Sequence, residues 1–127
     1  MFIGHWAPAI AVAARRPAPS LGVLFIAAQL VDWAFFGFLL LGVEHMRVTP
    51  GISAMNPMDL YHMPYTHSLL GSAAFAAGFA ALVWFGSRDR AATLLAGAAV
   101  LSHWFLDLLV HVPHLTLAGS SPKLGPG

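Results

Sequence analysis

The sequence predicts an all-α membrane protein with about three transmembrane helices and a short N-terminal re-entrant or interfacial helix. Hydrophobic residues make up 58% of the 127-residue chain and charged residues only 9%, with a mean hydropathy of +0.74. This leaves too little polar surface to cover a soluble domain. Three segments are also long enough to cross a hydrocarbon layer of about 30 Å at about 1.5 Å per residue. We therefore expect a single membrane domain over residues 1–127.

The elements follow in chain order. The N-terminal segment has only about a dozen apolar residues around a proline, which predicts a short helix within residues 1–16 rather than a span. Thr66 is interpreted as the cap of the second long helix, and Pro113 as the stop of the third. The transmembrane helices are predicted at 21–43, 66–86 and 90–112, with an outer connection at 44–65 and an outer tail at 113–127.

Arginine placement predicts the orientation of these helices. Arg15 and Arg16 precede the first span, and Arg88 and Arg90 lie in the 87–90 turn between the second and third spans. With three spans, both clusters fall on one side of the membrane. The positive-inside rule makes that side cytoplasmic, so the 44–65 connection and the C-terminus are expected on the opposite side.

Charge and cysteine content exclude several classes of function. The formal net charge is +1 and no basic stripe is present, so nucleic acid is not an expected partner. The chain has no cysteine, which excludes disulfides, thiolate metal sites and cysteine nucleophiles. Histidine and carboxylate are then the ordinary strong metal ligands that remain, and the chain has seven histidines.

The most informative stretch is SHWFLDLLVHVPH, residues 102–114, at the end of the third predicted span. On an α-helix, His103, Asp107 and His111 lie four residues apart and within roughly 80° of one another, so they share one face. Ionisable groups in a bilayer are costly and mark functional sites more often than chance allows. The alternative is that each group only bonds a neighbouring helix or reaches the membrane surface.

Depth along the helices brings further polar groups to the same region. Asp32 lies about eleven residues into the first span, and His103 about thirteen residues into the third, so both come to mid-membrane height. His67 and His45 lie near the outer ends of their spans, towards the level of Asp107. The sequence therefore predicts a polar cluster in the outer half of a small bundle. Neutral imidazoles and carboxylates suit a divalent ion, with zinc favoured and manganese or iron as alternatives.

A family resemblance enters at these residues. The motifs GHWAP, AAQLVDW, GVEHMRV, YTHSLLGS and LSHWFLDLLVHVPHLTL are similar to those of the bacterial membrane-bound metal-dependent hydrolases, in the same order and over nearly the whole chain. The resemblance implies a protein of the bacterial inner membrane with the 44–65 connection and C-terminus in the periplasm. It also implies a C-terminally short member, because in longer relatives the PKLG-like segment is followed by further hydrophobic helices, whereas this chain stops at SSPKLGPG. The implied polar set is His5, Asp32, Glu44, His45, His67, His103, Asp107 and His111.

The first functional hypothesis is a metal-dependent hydrolase acting on an ester or phosphoester of a lipid or envelope molecule. His67, His103 and Asp107 are the preferred metal ligands in this hypothesis. The groups that complete the metal site or orient its ligands are Asp32, His111 and His5. Catalytic proton transfer is assigned to Glu44 and His45.

Two other functions stay open. The chain could be a non-catalytic small subunit in a larger membrane protein complex, or a homo-oligomer, with the polar stripe holding helices together. Histidine ligation of haem or chlorophyll is less favoured, because Asp107 shares the face of His103 and is a poor neighbour for a hydrophobic macrocycle. In every case the lipid bilayer is an expected partner.

Overall fold

The computed structural model describes residues 3–15, 17–52, 57–110, 115–119 and 122–124. Most of these residues are helical, and a small two-stranded sheet is added to the helices. The elements in chain order are a 3-10 turn (Ile3–His5), α1 (Trp6–Ala13), α2 (Leu21–Leu40), β1 (His45–Val48), β2 (Met58–His62), α3 (Leu69–Ser87) and α4 (Arg90–Val110).

Three of the helices, α2, α3 and α4, are long and apolar enough to cross a membrane. This confirms the mostly helical fold with three long apolar helices and is compatible with a membrane protein. The first predicted span ends early, at Leu40, and the second begins late, at Leu69. Residues 111 and 112, which the sequence placed in the third span, lie outside the described residues.

Polar side chains cap the starts of α2 and α3. The Ser20 hydroxyl accepts a hydrogen bond from the Val23 backbone N–H at the start of α2. At the start of α3, the Ser68 hydroxyl accepts from the Gly71 backbone N–H at 3.0 Å. Capping by hydroxyl side chains satisfies N–H groups that have no partner inside the helix. The cap of α3 is therefore Ser68, and the assignment of this role to Thr66 was wrong.

The connection between α2 and α3 contains a β-hairpin that the all-α prediction did not include. β1 and β2 are antiparallel, with Arg47 opposite Asp59, His45 opposite His62, and an irregularity in register between residues 45 and 47. The Arg47 Nε donates to Asp59 Oδ2 at 2.6 Å across the pair. The strands are only four and five residues long, so their residue patterns are weak evidence for a strand.

The core lies where α4 contacts the other helices. Small buried residues dominate it, and they allow the helix backbones to approach closely. Between α3 and α4 the approach is tight at Gly97, where an added Cβ would lie 3.3 Å from the Cβ of Ala80. α1 packs on α2 and α4, which brings the N-terminal turn against the bundle interior. The buried residues of this helix-contact cluster are Ala9, Leu24, Ala27, Ala28, Val31, Ala76, Ala99 and Val100.

Candidate metal centre

Five ionisable side chains from four parts of the chain meet inside the bundle. We call them the His/Asp cluster: His5, Asp32, His67, His103 and Asp107. Asp32 is 15% exposed, whereas none of the other four exceeds 3%. The cluster is therefore closed on most sides and most accessible at Asp32.

Helix geometry positions three of these groups. His103 and Asp107 are one turn apart on α4 and point to the same side, and Asp32 reaches them from α2. His67 directly precedes Ser68, the cap of α3, and so lies at the N-terminal end of that helix. His5 ends the 3-10 turn and is buried because α1 packs on α2 and α4.

In each carboxylate, one oxygen lies near His103 and His67, and the other lies near His5. The Oδ2 of Asp107 lies 3.3 Å from His103 Nε2 and 3.5 Å from His67 Nε2, while its Oδ1 accepts from His5 Nε2 at 2.8 Å. Asp32 repeats the pattern. Its Oδ1 lies 3.4 Å from His103 Nε2 and 3.9 Å from His67 Nε2, and its Oδ2 lies 3.5 Å from His5 Nδ1.

Two carboxylates inside the bundle give the cluster a strong preference for a cation. His5, which lies outside the three long helices, reflects this preference. Burial alone would lower its pKa, but the contacts with Asp107 and Asp32 outweigh burial and raise the pKa of His5 above its usual 6.5. Positive charge near two carboxylates offsets their cost of burial.

The Nε2 atom of His103 is the atom of the cluster best suited to bind a cation. The Ala28 carbonyl can only accept a hydrogen bond, so His103 Nδ1, at 3.0 Å, carries the proton and donates it. In the neutral ring, Nε2 then presents a lone pair. This atom is fully buried and has no hydrogen-bond partner among the described residues, yet two carboxylate oxygens lie within 3.4 Å. Whenever the His103 ring is neutral, three electron-pair donors therefore converge on one point.

The distances in the cluster fit a small divalent ion. Neighbouring ligands on a tetrahedral ion with bonds of about 2.0–2.1 Å lie about 3.3 Å apart. The distances that join His103 and His67 to the two carboxylates are 3.3–3.9 Å. Two overlapping sets have all their donor atoms within 4.8 Å: His5, His103 and Asp107, and Asp32, His67 and His103. The buried cluster could therefore hold a metal ion, with His103 common to both sets.

Surrounding hydrogen bonds hold His67 in place. Its Nδ1 lies 2.8 Å from the Thr66 hydroxyl oxygen, and its backbone carbonyl accepts from the Trp104 indole N–H at 3.1 Å. Glu44 fixes Thr66 in turn, accepting from the Thr66 backbone N–H at 2.9 Å and from its hydroxyl at 2.6 Å. A second backbone N–H, that of Tyr65, also donates to Glu44 at 2.9 Å.

The remaining candidate residues lie elsewhere. Glu44 is fully buried but outside the cluster, two hydrogen bonds away from His67. His45 is exposed on β1, and its ring contacts are with Tyr61 and His62 of the hairpin. The proton-transfer roles of Glu44 and His45 stay predictions. His111 lies outside the described residues.

Sequence reasoning missed the residues that orient the histidines. Ala28, Thr66 and Trp104 each form a hydrogen bond to a cluster histidine. The Ala28 contact uses a backbone carbonyl and leaves no trace in the residue type. Thr66 was visible only as the neighbour of His67 in the YTH motif, where a helix cap was the simpler interpretation.

Trp104→Phe is expected to lower the thermal unfolding temperature, because it retains most of the ring and removes the N–H that the His67 carbonyl accepts. A buried acceptor left without its donor costs about 1–3 kcal/mol. Thermal unfolding of the detergent-purified protein measures this loss. Phe105→Leu, at a half-exposed position on the same helix, is the control, and an equal loss in both variants would show that the indole hydrogen bond contributes nothing.

No family model, curated protein or solved structure matches the chain. The resemblance to the membrane-bound metal-dependent hydrolases therefore rests on the five sequence motifs.

Proposed function

We propose that the chain is a membrane-embedded metal-dependent hydrolase acting on an ester or phosphoester of a lipid or envelope molecule. The observation that best supports this proposal is the buried Nε2 of His103, which faces carboxylate oxygens on α2 and α4 without a hydrogen bond. A divalent ion, zinc by preference, would satisfy these groups together.

The proposed ligands are His67, His103 and Asp107, which bring two imidazole nitrogens and one carboxylate oxygen together from the outer end of α3 and from α4. His5 donates to the second oxygen of Asp107 and so orients the carboxylate. These three residues would hold the ion, and a divalent ion held there would supply Lewis acidity and lower the pKa of a water molecule.

We assign the role of general base to Asp32 in place of Glu44 and His45, which lie outside the cluster. Asp32 is the most exposed member of the cluster, and its Oδ1 lies 3.4 Å from His103 Nε2, within reach of a water molecule beside the ligands. Asp32 takes one proton from the attacking water and returns it to the leaving oxygen of the substrate. The water oxygen forms the new bond to the acyl carbon or phosphorus as the bond to the leaving oxygen breaks.

An apolar groove supports a lipid-like substrate. It has a volume of about 550 Å³ and lies between the outer ends of α2 and α3. Phe38 and Phe75 line it, together with Tyr65 and Ser68, which flank the Thr66–His67 pair. Ligand sites are typically apolar clefts of this size, and an acyl chain suits such a lining.

The proposed location is the bacterial inner membrane. In this orientation the N-terminal end of α2 and the turn between α3 and α4 face the cytoplasm, because Arg15 and Arg16 precede α2 in the sequence, Arg88 lies in the turn and Arg90 begins α4. The hairpin and the His/Asp cluster then belong to the periplasmic half of the protein.

Hydrolysis is tested with the zinc-loaded protein in vesicles of phosphatidylethanolamine and phosphatidylglycerol. Mass spectrometry of the released fatty acids and phosphorylated headgroups reports which bond is cut. We expect Asp32→Asn to lower the rate at least about 100-fold while zinc stays bound, since general bases contribute about 10²–10⁴-fold. Asp107→Asn is expected to lose both zinc and activity.

Two results would contradict this proposal. One is a wild-type protein that holds zinc and releases neither product above the level of protein-free vesicles. The other is an Asp32→Asn variant as active as the wild type, which would remove Asp32 from the mechanism.

A non-catalytic subunit is the second candidate function, and the surface of α3 favours it. Only 11% of the most apolar 18-residue stretch of α3 is buried. Leu70, Leu82 and Phe85 are each at least 67% exposed. Such a surface faces either lipid or partner helices. Purification in mild detergent distinguishes the two: an active monomer contradicts the subunit, and constant co-purification with large membrane proteins supports it.

A further inference from the structure

We propose that Glu44 is a positioning residue that determines, through Thr66, which ring nitrogen of His67 faces the His/Asp cluster. The inference rests on the proposed metal function for its consequence, because only an unprotonated nitrogen can bind a metal. Its structural basis is a chain of three buried side chains, with exposures of 0% for Glu44, 0% for Thr66 and 3% for His67.

The carboxylate of Glu44 sets the direction of the first hydrogen bond. Its Oε1 accepts from the backbone N–H groups of Tyr65 and Thr66, both at 2.9 Å. Its Oε2 lies 2.6 Å from the Thr66 hydroxyl. An ionised carboxylate can only accept, so the Thr66 hydroxyl donates its single proton to Glu44.

The direction of the second hydrogen bond follows. With its proton committed to Glu44, the Thr66 oxygen presents a lone pair to His67 Nδ1 at 2.8 Å. Nδ1 must then carry the ring proton and donate it. In the neutral ring, Nε2 is left unprotonated, and Nε2 is the atom that lies 3.5 Å from Asp107 and 3.9 Å from Asp32.

His103 reaches the same state by a different route. Its Nδ1 donates to the Ala28 carbonyl, so in both histidines Nε2 is the nitrogen left to bind a metal. Outer hydrogen bonds of this kind fix the tautomer of metal-binding histidines. A backbone carbonyl is a permanent acceptor, whereas the Thr66 hydroxyl can donate or accept. Glu44 is therefore needed to make the hydroxyl an acceptor towards His67.

Location explains why Glu44 can perform this role. It follows α2, and Thr66 precedes α3, so the hydrogen bonds join the outer ends of two long helices across the base of the hairpin. Both oxygens of the carboxylate are engaged and the side chain is fully buried. These contacts suit a fixed orienting group better than a proton carrier that exchanges with water.

Glu44→Gln tests the inference because it keeps the shape and changes the hydrogen-bond pattern. The amide oxygen of the substituted side chain is expected to accept from the backbone N–H groups of Tyr65 and Thr66. The opposite orientation would place the amide N–H₂ group against these two N–H donors. The amide N–H₂ then faces the Thr66 oxygen and donates to it. The Thr66 proton turns towards His67 Nδ1, which becomes the acceptor, and Nε2 gains the ring proton.

The direct readout is the tautomer of His67 in metal-free protein, measured by ¹⁵N NMR of histidine-labelled samples. We expect a protonated Nδ1 in the wild type and an unprotonated Nδ1 in Glu44→Gln. Zinc affinity, from competition with a chromophoric chelator, is expected to fall about 10–100-fold, the effect usual for an outer partner of a ligand.

Thr66→Ser and Thr66→Val form a matched pair. Serine keeps the hydroxyl and should retain the wild-type tautomer and zinc affinity. Valine keeps the shape and removes the hydroxyl, so zinc affinity should fall as in Glu44→Gln. This pair answers the question even if Glu44→Gln does not fold.

An unchanged His67 tautomer in folded Glu44→Gln would overturn the inference, as would Thr66→Val with wild-type zinc affinity. These outcomes are separate from failure of the proposed function. The tautomer is measured without metal or substrate. A protein with the expected tautomers but without hydrolysis would therefore contradict the proposed hydrolase function and not the inference about Glu44.

Discussion

His103→Ala is expected to abolish stoichiometric binding of a divalent metal. His103 belongs to both sets of donors that could hold an ion, so its removal leaves neither set complete. Its loss should therefore weaken binding by more than the roughly 10–100-fold usual for an outer partner. Equilibrium dialysis of the detergent-purified protein against zinc, followed by elemental analysis, measures the change.

His62→Ala is the matched control for His103→Ala. It removes a histidine of the same chemistry from an exposed position on β2, where its ring contacts His45. We expect wild-type stoichiometry and affinity in this variant. Equal losses in the two variants would mean that the measured binding is nonspecific, and wild-type affinity in His103→Ala would exclude the cluster as the site.

Gly71→Ala has the largest expected effect on folding. A Cβ at this position would overlap the Tyr65 carbonyl oxygen and lie 2.9 Å from the Ser68 hydroxyl oxygen. The carbonyl belongs to the backbone, so relief requires moving the segment that contains Thr66 and His67. We expect a loss of about 3 kcal/mol or more in the free energy of unfolding, together with weaker zinc binding. Thermal unfolding and zinc competition measure the two effects.

Gly78→Ala provides the control on the same helix. An added Cβ there meets nothing within 4 Å, and alanine favours a helix over glycine by about 1 kcal/mol. The variant should be as stable as the wild type or slightly more stable. If Gly71→Ala matched it in stability and zinc binding, the close approach of Tyr65 to α3 would have no energetic role.

Helix periodicity and depth were enough to predict much of the geometry of the His/Asp cluster. The four-residue spacing puts His103 and Asp107 on one face of α4, and the structure brings them within 3.3 Å of each other. Equal depth in neighbouring spans likewise anticipated the approach of Asp32 to His103. Both predictions use regular geometry, in which a residue number translates directly into a position.

The parts that could not be predicted depend on irregular segments and long-range contacts. The position of His5 depends on how α1 packs against the bundle, which spacing within α1 does not determine. Similarly, the different environments of Glu44 and its neighbour His45 follow from the hairpin, because β1 begins at His45. Glu44 turns inward to Thr66, while His45 lies exposed on the sheet.

The presence of a metal ion in the His/Asp cluster is tested most directly by X-ray absorption spectroscopy at the zinc edge, on protein purified without chelators and loaded with one equivalent of zinc. We predict a four-coordinate ion with two imidazole ligands and oxygen ligands at about 2.0–2.1 Å, and a reduced imidazole contribution in His67→Ala. A spectrum that shows no imidazole ligation, or one that His67→Ala leaves unchanged, would contradict the metal centre proposed for this cluster.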